Sequence, residues 1–192
     1  MKDLLFFSHN QKKIIEVNQI FKSRKINIQN LNNFKNVKEP LENGCSFAQN
    51  AKIKSKFGFE NFKIPCFADD SGFCVNALNN KPGIHSKRFI QKFSSSQEAF
   101  EHIITSAIKK KNNKAYFVTA ICLTLAKHHH IIFFGKINGK LSLKPKGVNG
   151  FGYDPIFMPE NHNKTFAEMS SREKNSISHR KKAISKLKSF LF

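Results

Sequence analysis

The chain has 192 residues, enough to bury an apolar core without disulfides or a structural metal, so one domain over residues 1–192 is the expectation. Its four cysteines form no CxxC pair and have no histidine at zinc-finger spacing, which speaks against a zinc site and against a secreted disulfide framework. Lys and Arg number 33 against 13 Asp and Glu, and a net charge of +20 implies an anionic partner without choosing among nucleic acid, a membrane surface and a polyphosphate.

Residues 4–7 read as a short buried strand, and Asn10 then caps a helix whose Ile14, Val17 and Phe21 share an apolar face. Ser8, His9 and Asn10 sit where a helix N-terminus presents free N–H groups to phosphate, and Lys13 lies one turn inside. Ser46 and Gln49 have capping-box spacing for a second helix, running to about Phe57 and carrying Lys54, with Gly58 as its stop. A strand at 65–68 leads into a turn at Asp69-Asp70-Ser71-Gly72, followed by an extended segment at 73–78 and a loop at 79–83. From Ser96 to about Lys110 the pattern is an amphipathic helix burying Ala99, Phe100, Ile103, Ala107 and Ile108. The apolar run 116–125 predicts a central strand, paired as a hairpin with 131–137 through His128, His129 and His130, which read as a solvated turn. A glycine loop, a short strand at 156–158, a start signal at Ser170 with Glu173, and a final helix bearing Ala183, Ile184, Leu187 and Leu191 complete an α/β alternation. With 21 Phe and no Trp, phenylalanine is the expected core filler. The apolar run after Asp3 is too short for a signal peptide and no stretch approaches the roughly 18 residues of a membrane span, so a cytoplasmic protein is expected.

Two strings carry the chemistry: FADDSG at 67–72 and KGVNGFGYDP at 146–155. Hydrolysis of a triphosphate needs a divalent cation, carboxylates to hold it, a group to orient water and cations against the developing charge. Asp69, Asp70 and Glu42 can supply the carboxylates, and Mg²⁺ is commonly held by only one or two of them with substrate phosphates. An Asp-Asp-Ser-Gly string is equally an ordinary turn. Lys13, Lys54, Lys174 and Arg180 could converge on phosphates, or each could be a surface cation; Ser178-His179-Arg180 is either a base-reading element or a polar first turn. In the glycine loop the backbone can approach a ligand closely, Phe151 offers a face for a base and Asp154 an acceptor, while a turn with a core Phe and Tyr fits the same residues.

Together these strings resemble the inosine triphosphate pyrophosphatase family, in order along almost the whole chain. The resemblance is carried by SHNQKKIIE at 8–16, SFAQNAKIK at 46–54, FADDSG at 67–72, KPGIHSKRF at 81–89, GVNGFGYDPIF at 147–157 and EKNSISHRKKA at 173–183. It implies hydrolysis of ITP, dITP and XTP to the monophosphate and pyrophosphate. It implies substrate contacts from Ser8, His9, Asn10, Gln11, Lys12, Lys13 and Lys54, Mg²⁺ at Glu42 and Asp70, and Asp70 as catalytic base. Ser71, Phe151, Gly152, Tyr153, Asp154, Lys174, His179 and Arg180 would line the nucleotide site. The implied fold is an elongated, two-lobed α/β structure with a long mixed sheet flanked by helices and the active site in the cleft between lobes, in a homodimer. Three departures stand out: His9 where the family commonly has Gly, Gln49 where Glu is usual, and Asn79-Asn80-Lys81 where a glycine-rich string is usual. Gln49 removes a negative charge near the implied metal and leaves Glu42 and the Asp pair to hold it. Two alternatives are a Maf-like nucleotide pyrophosphatase, which would not share the GFGYDP and SHR blocks, and a basic nucleic-acid-binding module, which gives no reason for Asp69 and Asp70. A purine nucleoside triphosphate is therefore the expected partner, with neither a membrane nor, despite the charge, nucleic acid.

Overall fold

The computed structural model describes residues 2–21, 26–34 and 37–192. Strand β1 (Lys2–Phe6) and helix α1 (Gln11–Ile20) realise the first expected pair, with the Asn10 side chain accepting from Lys13 N at 3.2 Å. Strand β2 (Ile26–Asn30), which runs parallel to β1, was not expected, because its INIQN sequence is short and half polar. Helix α2 (Phe47–Phe62) starts at the Ser46 cap but passes through Gly58 and ends at Lys63 in the left-handed region. Gly58 is there for close approach instead: a Cβ would lie 2.5 Å from Cys66 Sγ and 2.7 Å from the Phe7 ring.

The turn expected at 69–72 is instead the middle of a ten-residue strand, β3 (Cys66–Val75), parallel to β1 through Leu5↔Cys66 and Phe6↔Phe67. Local turn preference yields here to sheet pairing and burial, which is what a central position imposes on a strand. The expected extended segment stops at Val75 and gives way to a 3₁₀ turn, Asn76–Leu78. Strand β4 (Lys81–Pro82) then returns antiparallel to β3, where a loop was expected. Helices α3 (Ser86–Ile90) and α4 (Ser96–Lys109) precede β5 (Lys114–Ala126) and β6 (His129–Leu141), neighbours in the sheet joined by Lys127 and His128. Strand β7 (Phe157–Pro159) pairs antiparallel with β6. The single final helix is in fact two, α5 (Ser171–Ile177) and α6 (His179–Leu191), because Ser178 is extended at ψ 158° and fully buried.

The strand order β2-β1-β3-β5-β6-β7, with β4 beside β3, mixes parallel and antiparallel pairs, which bears out the expected mixed α/β class. Packing divides the chain into two compact units: residues 1–70, 119–135 and 180–192, and residues 71–118 and 136–179. In the first unit the period-two alternation of β1 sends Leu4 and Phe6 to one core, with Ile14 and Val17 of α1 and Ala183, Ile184 and Leu187 of α6. Leu5 and Phe7 point the other way, into a core shared with Cys66, Ala68 and the phenylalanines of α2. A strand buried on both faces reads as an unbroken apolar run, which is why LLFF was visible in the sequence. In the second unit Phe73, Phe100, Ile103, Phe117, Tyr153, Phe157 and Phe166 form one core, so phenylalanine fills both units as composition suggested. No described helix is long and apolar enough to cross a membrane.

Candidate active site

The alternation of β3 explains why two consecutive aspartates have different partners. Phe67 packs in the α1 and α6 core, so Asp69, two residues on, faces the same way; Ala68 packs in the α2 core, so Asp70 faces α2. Asp69 accepts from Lys13 Nζ of α1 at 3.0 Å and from Arg180 Nη2 of α6 at 3.3 Å. Arg180 in turn pairs through Nη1 with Glu16, three residues after Lys13 on α1. The result is a row of alternating charge, the buried Glu16, Arg180 and Asp69 and the half-buried Lys13, in which each ion offsets the desolvation of its neighbour. Asp70 Oδ2 accepts from Asn50 Nδ2 at 3.0 Å, and one turn along α2 Lys54 Nζ lies 3.2 Å from Glu42.

Burial sets the protonation behaviour of this group. It pushes Asp70 above the ordinary carboxylate value, against the pull of Lys54, Lys13 and the Asn50 hydrogen bond. It brings Lys13 below the ordinary lysine value even though Asp69 is its partner. Burial acts on Lys54 in the same sense, but Asp69, Asp70 and Glu42 together outweigh it and hold that ammonium above the ordinary value.

The second unit holds the glycine loop and Lys174. Asp154 Oδ2 accepts from Phe151 N at 2.7 Å and from Lys174 Nζ at 2.6 Å, and the same ammonium stands 4.7 Å from the centre of the Phe151 ring. Gly150 is required here: φ is +74°, and a Cβ would lie 2.1 Å from Asp154 Oδ2. Tyr153 is core, stacked on Phe73 at 4.8 Å with its hydroxyl donating to Ser86 O at 2.8 Å. Ser86 Oγ also accepts from Phe73 N at 2.8 Å, so one serine ties β3 to the glycine loop within this unit. The His179 ring lies parallel to Phe117, 4.8 Å away at 9°.

A family model described as the Ham1 family matches residues 4–190. The chain belongs to the Ham1 family. A protein named dITP/XTP pyrophosphatase from Halalkalibacterium halodurans is 35% identical over 193 residues, spanning 100% of both chains. Another of that name from Aquifex aeolicus is 40% identical over 158 residues, 78% of each chain. The solved structure of a HAM1 protein from Coxiella burnetii aligns with a TM-score of 0.90 at 32% identity, covering 100% of this chain and 98% of that one. The family resemblance seen in the sequence is thereby borne out.

Within this Ham1 family member the reading of Lys13, Lys54, Lys174 and Arg180 as surface cations is overturned: each has a carboxylate partner, and Lys54, Lys174 and Arg180 are buried. The polar-first-turn reading of 178–180 fails likewise, since all three residues are buried. Arg180, 1% exposed, pairs through Nη1 with Glu16 and through Nη2 with Asp69, which makes it a holder of Asp69. Asp154 accepts from Phe151 N and Lys174 through Oδ2 and so shapes its loop. Ser8 Oγ accepts from Asn10 N at 3.2 Å; His9 bonds Glu39 and Val37, and Gln11 exchanges amide hydrogen bonds with Asn32, while Lys12 is exposed. Ser71 follows Asp70 on β3, and Gly152 has φ +62°. Gln49 accepts from Cys45 N at 2.6 Å, so the amide that replaces the usual Glu closes the start of α2, and the next residue, Asn50, reaches Asp70. Glu16, Asn50 and Ser86 are the residues sequence reasoning missed. Glu16 alone carried a signal, a carboxylate three positions from Lys13 on the apolar face of a helix.

Proposed function

We propose that this chain hydrolyses non-standard purine nucleoside triphosphates, dITP, ITP and XTP, to the monophosphate and pyrophosphate, and so clears them from the nucleotide pool. The observation that carries the reading is the group of half-buried Lys13 with buried Asp69, Asp70 and Lys54 in a chain that matches a named dITP/XTP pyrophosphatase end to end. Water attacks the α-phosphorus, the bond to the bridging oxygen breaks, and pyrophosphate leaves. Lys13 and Lys54, two desolvated ammonium groups, meet the negative charge that gathers on the leaving pyrophosphate. Asp70 takes the proton of the attacking water as general base. Asn50 holds that carboxylate in one orientation. The donor set fits Mg²⁺: Asp70 and Glu42 are hard oxygen ligands that both act on Lys54, and this ion takes one or two carboxylates with phosphate and water. Bound there, the ion supplies charge neutralisation for the phosphates. Phe151 stacks on the base without selecting it, and a backbone N–H donor at O6 rejects adenine, whose amino group would leave both donors unpaired. The reading extends to a homodimer in a reducing, cytoplasmic setting, which suits the free thiols Cys45, Cys66, Cys74 and Cys122.

The test is pyrophosphate release from ITP, dITP, XTP, ATP and GTP, with sedimentation giving the assembly mass. ATP or GTP within roughly tenfold of ITP in kcat/KM removes the pool-cleansing reading, because a buried donor mismatch is worth far more than that. Inorganic phosphate as first product indicates a phosphatase. Asp70→Asn is expected to lower turnover by roughly 10²- to 10⁴-fold without unfolding, and a chelator to abolish it until Mg²⁺ is restored. An Asp70→Asn protein keeping more than about a tenth of wild-type turnover would remove Asp70 as the base.

A further inference from the structure

The charge of +20 is not accounted for by the residues above, since Lys13, Lys54, Lys174 and Arg180 each stand beside a carboxylate. The second unit has, apart from them, an open groove of about 1060 Å³ across the ends of β5, β6 and β7. Its floor follows from strand periodicity. Lys114 and Tyr116 of β5 and Lys136 and Lys140 of β6 point outward, while their alternates Phe117, Ile137 and Leu141 are core. Around them the lining is asparagine, at 76, 80, 113, 138, 161 and 163, with Glu160 as the one carboxylate. The Lys136 ammonium stands 3.9 Å over the Tyr116 ring.

We infer that this groove binds single-stranded nucleic acid, with Lys114, Lys136 and Lys140 on its phosphates and the asparagine amides on its base and sugar edges. Four chemical arguments select this occupant. Three lysines and six asparagines against one glutamate favour an anion over a hydrophobic ligand. Lys136 and Lys140 are four strand residues apart on one face, about 13 Å, so a single compact phosphate cannot satisfy both whereas an extended chain can. Asparagine amides both donate and accept, and base edges and sugar hydroxyls use both capacities where inorganic polyphosphate uses only the donor. A concave floor does not lie flat on a bilayer. Tyr116 contributes a neutral hydroxyl, since burial and its hydrogen bond to Cys74 push it up to about 12. None of the groove residues belongs to the group placed in the hydrolytic reaction, so binding here is a second activity of the chain.

The experiment is fluorescence anisotropy of a labelled twelve-nucleotide single strand with the full-length protein, in parallel with ITP turnover and thermal unfolding. The charge swap Lys114→Glu with Lys136→Glu and Lys140→Glu is compared with a control swap of the same size, Lys92→Glu with Lys109→Glu and Lys110→Glu, on exposed residues outside the groove. Wild type is expected to bind with log K falling against log salt at a slope near −2, from about 0.7 per phosphate for three lysine contacts. The groove swap is expected to weaken binding at least tenfold and leave turnover within twofold, and the control swap to do little. Should the Glu variant unfold early, Gln at the same three positions gives the same comparison. Equal losses in the two swaps, displacement of the strand by ITP, tighter binding of duplex or of inorganic polyphosphate, or a change in assembly mass in the groove swap would each overturn the inference.

Discussion

Asp69 shows how much of this site is electrostatic structure before it is chemistry. It is 2% exposed and receives Lys13 and Arg180, while Glu16 completes the row. Replacing it by asparagine keeps the volume and leaves the buried Arg180 and the half-buried Lys13 against the one carboxylate of Glu16. Removing one member of a buried ion pair costs about 3–5 kcal/mol, so Asp69→Asn is expected to lose about that much in urea unfolding at unchanged m; a loss below about 1 kcal/mol would mean the row is not coupled. Lys13 gives a test by pH. Burial lowers its pKa from 10.5, so as pH rises its charge disappears earlier than that of an exposed lysine. If that charge holds phosphate, kcat/KM, which reads the free enzyme, loses activity on an alkaline limb below the ordinary lysine value. Lys13→Arg keeps its charge through this range and is expected to move the limb upward on a lower plateau; a limb that stays in place assigns it to another group.

At the scale of elements, the glycine loop is where sequence and structure agree in kind and differ in role. Its glycines were readable as close-approach positions, yet what approaches Gly150 is Asp154 of the same loop. Gly150→Ala forces that carboxylate aside, and with it the anchor of Phe151 N and of Lys174. The expected outcome is a KM raised by a similar factor for ITP, dITP and XTP with a smaller change in kcat, since a stacking face holds any base. Unequal changes among bases would show that the loop reads them directly. Helices α1 and α2 could be placed from the sequence because their signals are local, Asn10 and Ser46 each accepting from the backbone N–H three residues on, and α4 showed through its apolar periodicity. Strand β3 could not, because Asp-Asp-Ser-Gly prefers a turn and only Lys13, Arg180 and Asn50, distant in sequence, make its burial tolerable. The break at Ser178 was hidden for the same reason: Ser after a helical run signals nothing unless its surroundings are known. Individual motifs were thus legible as strings, while the pairing of cations with carboxylates, which decides their roles, was a product of the fold.

For the whole molecule, the two units escaped a linear reading because each is assembled from separated segments, with boundaries inside β3, β5, β6 and α6. Composition carried the other whole-molecule property, the charge. An excess of 33 basic over 13 acidic residues repels itself in the compact state and at the same time attracts a triphosphate from a distance. Salt acts on these two consequences in opposite directions. Raising it from about 0.01 M to about 1 M shortens the Debye length from about 30 Å to about 3 Å, which screens exposed lysines but hardly touches the buried Glu16, Arg180 and Asp69. The unfolding temperature is therefore expected to rise with NaCl while kcat/KM for ITP falls, by at least about tenfold where steering contributes to encounter. Turnover at saturating substrate should stay nearly constant, because by then the triphosphate is already against desolvated ammonium groups that bulk ions do not reach. A kcat that falls in step with kcat/KM would place the salt-sensitive charges at the chemistry itself, and would mean that Lys13 and Lys54 are less shielded in the working enzyme than their burial implies.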